Sequence, residues 1–332
     1  MTSRDHDVLE GGAKASLTSA DPPSSMELRD RDEELEFHDL LDEVGPSERD
    51  FAGGWRLMIR SLRENRIAIV GIVLIVLLIL FCFVGPVIYP TNQVTTVITR
   101  SNLPPSAKFP LGTDSDGFNV LGRLMVGGQL SLEVGISVAI IATAFGALWG
   151  AIAGWFGGIV DAVMMRIVDT LLAIPWIFLF LFLTSITKPT VGLIIAVLSL
   201  LSWLVPARLA RAETLSLRNR DFVQATRMLG GTGKRIVLRH IIPNAMGVIV
   251  VNATLQVADS ILALALLSYL GFGPPPPTAS WGGMLSNGIN FLFDGYWWAV
   301  YPVAFLIIIT VVAFNFVGDG VRDALEVRLR SR

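Results

Sequence analysis

The chain has 332 residues, 52% of them hydrophobic and 16% charged, with a mean hydropathy of +0.61, which is far more apolar than an ordinary soluble domain. Its single cysteine, Cys82, offers neither an intrachain disulfide framework nor a thiolate metal site. The net charge of −2 is divided unevenly, because residues 1–50 hold 15 acidic and 5 basic side chains and the remainder is basic.

Residues 1–53 are rich in Asp, Glu, Ser and Pro; too little apolar surface is present to offset the entropy of ordering, so a mostly disordered acidic tail is expected. Leu40, Leu41 and Val44 sit at helix spacing and leave room for a short helix that orders against a partner. The first residues lack the basic flank and apolar run of a signal peptide, which predicts a cytoplasmic N-terminus. In residues 54–66, Trp55, Leu57, Met58 and Leu62 alternate with Arg56, Arg60, Arg63 and Arg66, the pattern of an amphipathic helix lying on anionic headgroups.

Residues 67–88 are uncharged and as a helix would extend about 33 Å, enough for one membrane crossing. Further apolar stretches at 134–154, 167–187, 190–206, 241–265 and 296–317 bring the expected number of spans to six, within a membrane domain over 67–318 and ahead of a cytoplasmic tail over 319–332. Seventeen Lys and Arg residues beyond position 50 would fall on the cytoplasmic side and four (Arg100, Lys108, Arg123, Lys188) on the other, which places both termini inside. Gly146, Gly150 and Gly154 form a smooth stripe for close helix packing. Pro175 predicts a kink in the third span. Arg166 and Asp169, three apart, are expected to pair on one helix face. Asn252, Gln256 and Asp259 make a polar stripe on the fifth span, and Glu133 lies near the start of the second. Two readings of these four stand together: they line a cavity, or they hydrogen-bond between helices.

The connection over 207–243 is far longer than a bundle needs. Asn219 is placed to cap a helix with Phe222, Ala225, Met228 and Leu229 on one side. Gly230 and Gly231 would end that helix, and an amphipathic segment over 234–242 would return to the membrane. The run GGTGK at 230–234 is not a phosphate loop: Met228 stands where its first Gly is needed and Arg235 where Ser or Thr is needed.

The stretch DFVQATRMLGGTGKRIVLRHIIPN at 221–244 resembles the cytoplasmic loop of the membrane permeases of ABC importers, with its pattern E-A-A, three residues, Gly, then I-x-L-P. Gln224, Ala225 and Thr226 occupy the E-A-A positions, Gly230 the glycine, and Ile241, Ile242 and Pro243 the closing motif. FPLGTDSDGFNVLGRL at 109–124, GWFGGIVDAVMMRIVDTLLAIP at 154–175, LSYLGFGPPPPTASWGGML at 267–285 and AFNFVGDGVRDALEVRLR at 313–330 are similar to the C-type permease of dipeptide, oligopeptide and nickel importers. Gln224 and Thr226 depart from the loop pattern, as do Phe118, where the family usually has Arg, and Leu264, where it often has Glu. The last two fall in regions expected to face substrate or gate.

The resemblance implies an all-α integral membrane protein with the type I permease fold of ABC importers. It implies a homologous second permease, two ATP-binding-cassette ATPase subunits and an extracytoplasmic substrate-binding protein as partners in a lipid bilayer, and no nucleic acid. ATP and Mg would be bound by the ATPases, so no catalytic residue, cofactor or metal site is expected on this chain. Asp221, Phe222, Gln224, Ala225, Thr226, Met228, Leu229, Gly230 and Pro243 would couple it to the ATPase. Peptides are the expected cargo, with a nickel chelate, haem or another small solute as alternatives, and a proton-coupled secondary transporter as the rival mechanism. The loop at Pro274 to Pro277 and Trp281 either receives the binding protein or caps the bundle.

Overall fold

The computed structural model describes Arg63, residues 65–186 and residues 189–330. The acidic tail, and all of the amphipathic helix except Arg63, Asn65 and Arg66, lie outside them. Among the described residues the fold is all-α, with only an isolated bridge between Thr113 and Asn119 in place of strands. Five helical stretches are long and apolar enough to cross a membrane, or six if one bent pair counts as a span.

Helix α1 (Arg66–Ile79) starts where the Asn65 side chain accepts the N–H groups of Ile67 and Ala68 at 3.0 and 3.2 Å. It runs through a widened π-turn, Leu80–Val84, into α2 (Gly85–Ile88). Pro86 causes the widening, since its ring crowds the carbonyl four residues back. That carbonyl, on Cys82, accepts instead from Gln129 Nε2 at 2.7 Å.

Gln129 lies on α3 (Val120–Phe156), whose 37 residues extend about 55 Å. The second span is therefore only part of a helix that begins 14 residues before the expected start at Val134. The third apolar stretch is a bent pair, α4 (Gly158–Leu172) and α5 (Trp176–Ile186), with a 77° bend at the break before Trp176. Pro175 breaks the helix here rather than merely kinking it.

Helices α6 (Val191–Ser202) and α7 (Leu204–Arg218) form the next long stretch. The short helices α8 (Asp221–Met228) and α9 (Gly233–Ile236) follow, and a second π-turn, Val237–Ile241, leads into α10 (Ile242–Tyr269). Only 219–232 of the expected connection lies outside the long helical stretches. After α11 (Trp281–Leu292), helix α12 (Tyr301–Arg330) continues through the region expected to be a tail from 319.

The glycines fix how these helices meet. A Cβ added at Gly146 would lie 2.5 Å from the Trp203 carbonyl oxygen, one at Gly150 would fall against that of Ala207, and one at Gly154 would lie 3.0 Å from that of Arg211. Each step of four on α3 matches a step of four on α7, so the two helices run parallel with their backbones in contact. Elsewhere the order of contacts is reversed. Gly71 meets Ala313 and Val317, Asn65 Nδ2 donates to Asp323 Oδ2 at 3.0 Å, and Gly247 meets Leu325 while Gly318 meets Leu255. Helices α1 and α12, and α10 and α12, are thus antiparallel, and Asn65 and Asp323 lie at the same end of the bundle. A core of Leu78, Cys82, Leu132, Ile261, Trp281 and Phe314 ties these helices together, with Trp281 Nε1 donating to the Leu124 carbonyl at 3.0 Å.

Gly150→Ala is expected to lower the unfolding free energy of the detergent-solubilised chain by about 1–3 kcal/mol, because the added methyl meets rigid backbone. Gly192→Ala, where nothing lies within 4 Å, should stay within about 1 kcal/mol of wild type. Thermal unfolding of the two variants checks this.

Candidate functional site

The loop between α7 and α10 lies at the Phe156 end of α3. Arg220, with extended backbone, precedes α8 and provides no side-chain cap, whereas Asn219 belongs to the end of α7. The expected cap at Asn219 is therefore corrected; Asp221 in the first turn instead complements the helix dipole. At the other end, the Gly231 N–H donates to the Thr226 carbonyl at 3.0 Å and the Gly230 N–H to that of Arg227 at 3.1 Å. With φ +81° at Gly230, this pair of bonds is a Schellman motif, which needs a residue tolerant of left-handed backbone.

Val223 is the anchor of α8. It is 1% exposed and clusters with Ile236, Val237 and Ile241, against which Trp155, Leu217 and Phe222 also pack. Phe222 faces His240, with ring centroids 6.5 Å apart, and the Thr226 hydroxyl donates to the Phe222 carbonyl at 2.7 Å. Phe222 therefore does not share a side with Ala225, Met228 and Leu229, as the sequence had suggested. The outward face consists of Asp221, Gln224, Ala225 and Met228, at intervals of three, one and three, with Leu229 beside it; Met228 is 89% exposed. Pro243 stands in the first turn of α10, just after the π-turn. There the His240 carbonyl accepts from Asn244 Nδ2 at 2.6 Å.

Gly233 and Arg218, at the two ends of the loop, fasten it to α3, and Arg208 and Arg211 tie α7, from which it departs, to α4. Gly233 lies so close to Trp155 that an added Cβ would be 2.6 Å from Nε1. Arg218 Nη1 donates to the carbonyls of Gly154 and Trp155, both at 3.2 Å. Arg211 grips Asp161 with two bonds, Nε to Oδ1 at 2.5 Å and Nη2 to Oδ2 at 2.6 Å, and Arg208 Nη2 reaches Asp169 Oδ1 at 2.5 Å. Asp169 thus pairs across helices with Arg208 and not along its own helix with Arg166. The partners of Arg208 and Arg211 stand 39 and 50 residues away, which leaves no local signal of the pairing in the sequence.

At membrane depth Glu133 and Asp259 are exposed and Asn252 and Gln256 are half-buried; the Asn252 Oδ1 is buried with no partner. Among the described residues neither Glu133 nor Asp259 forms an ion pair. Leu264 is 1% exposed and packs in the core among Leu130, Val134, Ile194 and Val197. Phe118 is buried too, with the Arg123 guanidinium 3.8 Å from its ring centroid. Arg123 lies with Asp114 at the Val120 end of α3, the end away from the loop, and the ion pair spans 3.6 Å. Burial pushes the Asp114 carboxyl up, while the Phe118 N–H and Arg123 hold it down.

Residues 146–331 match the family described as binding-protein-dependent transport system inner membrane component. The chain belongs to that family. Residues 54–105 of the permease also match the N-terminal TM domain of oligopeptide transport permease C. The permease is 37% identical over 271 residues to the dipeptide transport system permease protein DppC of Bacillus subtilis, a match covering 82% of this chain and 85% of the relative. It is 38% identical over 276 residues to the oligopeptide transport system permease protein OppC of the same organism, covering 83% and 90%. To OppC of Escherichia coli K12 it is 37% identical over 274 residues, covering 82% and 90%. The loop just described lies inside the family match.

The two ion pairs of the permease should differ in weight. Asp161→Asn breaks a two-bond contact of a mostly buried carboxylate and is expected to cost about 1–3 kcal/mol. Asp169→Asn breaks a half-exposed one-bond pair and should cost less than about 1 kcal/mol. Denaturation of the two variants in one detergent tests the ranking.

Proposed function

We propose that the permease forms half of the membrane pathway of an ATP-driven peptide importer, in the cytoplasmic membrane of a prokaryotic cell. The outward face of α8 carries this reading. It is apolar at Ala225, Met228 and Leu229, acidic at Asp221 and held from behind by Val223, a shape suited to insertion into a groove on an ATPase. Phe222, Thr226, Gly230 and Pro243 shape and support this face without belonging to it. The names of the relatives support peptides as cargo.

Six spans with both termini cytoplasmic complete the proposal. Because α3 and the α6–α7 stretch run parallel, the chain between them has to return across the layer, and the bent pair α4–α5 is the segment available. The meeting of Asn65 with Asp323 supports an even number of crossings. A homologous second permease would meet the exposed rows that include Glu133 and Asp259, which with Asn252 and Gln256 would line the pathway between the two. Two ATPase subunits would bind ATP and Mg, and an extracytoplasmic binding protein would deliver cargo. The permease itself would transmit motion and catalyse nothing. The acidic tail at 1–53 and interfacial helix at 54–66 remain part of the proposed domain plan.

Ala225→Arg should leave folding intact, since Ala225 is exposed, yet abolish co-purification of the ATPases and peptide-stimulated ATP hydrolysis. Wild-type co-purification and turnover in this variant would refute the docking face. Orientation is read separately on a Cys82→Ser background: Ala225→Cys should resist a membrane-impermeant maleimide added to intact cells, and Asp116→Cys should react with it.

A further inference from the structure

The stretch that leads from the loop back into the membrane, α9 through the π-turn into α10, has two unlike sides. Ile236, Val237, Ile241 and Ala245 are buried against the bundle. Lys234, Arg235, Leu238, Arg239 and Met246 are exposed, Leu238 at 50% and Met246 at 40%. The π-turn over Val237–Ile241 takes up one residue more than an α-turn. Arg239 therefore falls one turn beyond Arg235, Leu238 one turn beyond Lys234, and Met246, eight residues on, two turns beyond Leu238. The exposed side carries three cations within its first two turns, with Leu238 beside them and Met246 farther along.

The chain supplies no counter-charge for these cations. None of the three forms an ion pair among the described residues, and no acidic residue occurs between Asp221 and Asp259. Two observations put them level with lipid headgroups. Gly233 packs on Trp155, which ends the apolar run of α3, the place that aromatic rings take at a membrane boundary. The apolar stretch over 241–265 begins two residues after Arg239, within reach of a long basic side chain. A phosphate among the three cations, with acyl chains lying along Leu238 and Met246, matches both halves of the surface. An ATPase is the other candidate for the cations, but Leu238 and Met246 continue into the apolar stretch of α10, where a soluble subunit does not follow.

We propose that this side of α9 and α10 is a binding surface for an anionic phospholipid, in the leaflet that the loop faces. Lys234, Arg235 and Arg239 hold the phosphate, and Leu238 and Met246 receive the acyl chains. The bound lipid keeps the returning arm of the loop at the membrane boundary.

The test is native mass spectrometry of the assembled transporter in detergent, titrated with phosphatidylglycerol and with phosphatidylcholine. The wild type should bind phosphatidylglycerol about tenfold more tightly. Two double variants remove the same charge from different places: Arg235→Gln with Arg239→Gln should lose most of that preference, and Arg220→Gln with Arg227→Gln should keep it. All four positions are exposed, so thermal unfolding of both variants should match wild type. No preference in the wild type, or one that survives Arg235→Gln with Arg239→Gln, overturns the surface. Equal losses in the two double variants mean diffuse charge and overturn it too. Displacement of phosphatidylglycerol by inorganic phosphate at equal concentration would show an anion site without lipid specificity, and loss of the ATPases from the Arg235→Gln, Arg239→Gln variant with no lipid preference in the wild type would assign the cations to the ATPase. Each of these contradicts the proposal.

Discussion

The close approach of α3 and α7 is the constraint on which the rest of the permease depends. Three glycines on α3 sit beneath three carbonyl oxygens of α7, spaced four residues apart on both helices. In lipid, where apolar side chains gain little by leaving one apolar surroundings for another, such backbone contact replaces hydrophobic burial as the attractive term. Its consequences are geometric. It makes two stretches parallel that are separated by a single bent pair, and it places the end of α7, from which the loop departs, beside Trp155 at the end of α3. Arg218 then fastens α7 to the terminal carbonyls of α3, and Arg211 fastens α7 to Asp161 on α4. The loop is therefore carried by a braced pair of helices and not by a flexible tether.

Prolines impose the second constraint. A membrane helix cannot leave a carbonyl unpaired in hydrocarbon. The permease meets this at Cys82, whose carbonyl Pro86 crowds, by donation from Gln129 on another helix. That bond ties the irregular turn to a specific polar side chain. Polar residues that look misplaced in an apolar run thus have structural work to do, and only some of those at membrane depth remain available to a transported solute.

Much of this was legible in the sequence, for reasons that also explain what was not. Apolar runs report contact with lipid, so the spans were found in order, but helices outlast their apolar length. Arg123, Gln129 and Glu133 concealed the first 14 residues of α3, and Arg208, Arg211 and Arg218 the extension of α7. Gly230 could be read because left-handed backbone leaves few choices of residue. The orientation of α8 could not, since an eight-residue helix with Phe222 and Val223 on one side and Ala225, Met228 and Leu229 on the other has two apolar faces, and only the packing of Trp155 and Ile236 selects between them. The pairing of Asp161 with Arg211 depends on a long-range contact that no local spacing encodes. Leu264 shows the converse: its departure from the related sequences suggested a functional surface, yet it fills the core.

If the braced pair transmits motion, the loop and α3 move as one body. Spin labels at Arg227, an exposed position on α8 outside the docking face, and at Leu148, an exposed position on α3, report this through pulsed electron resonance on the assembled transporter, with and without ATP. One distance distribution is expected in both states, while labels on the two permeases' loops change their separation. A shift in the Arg227 to Leu148 distance beyond the spread of the labels would mean that α8 moves independently of α3, and would contradict the role given to the glycine-packed pair.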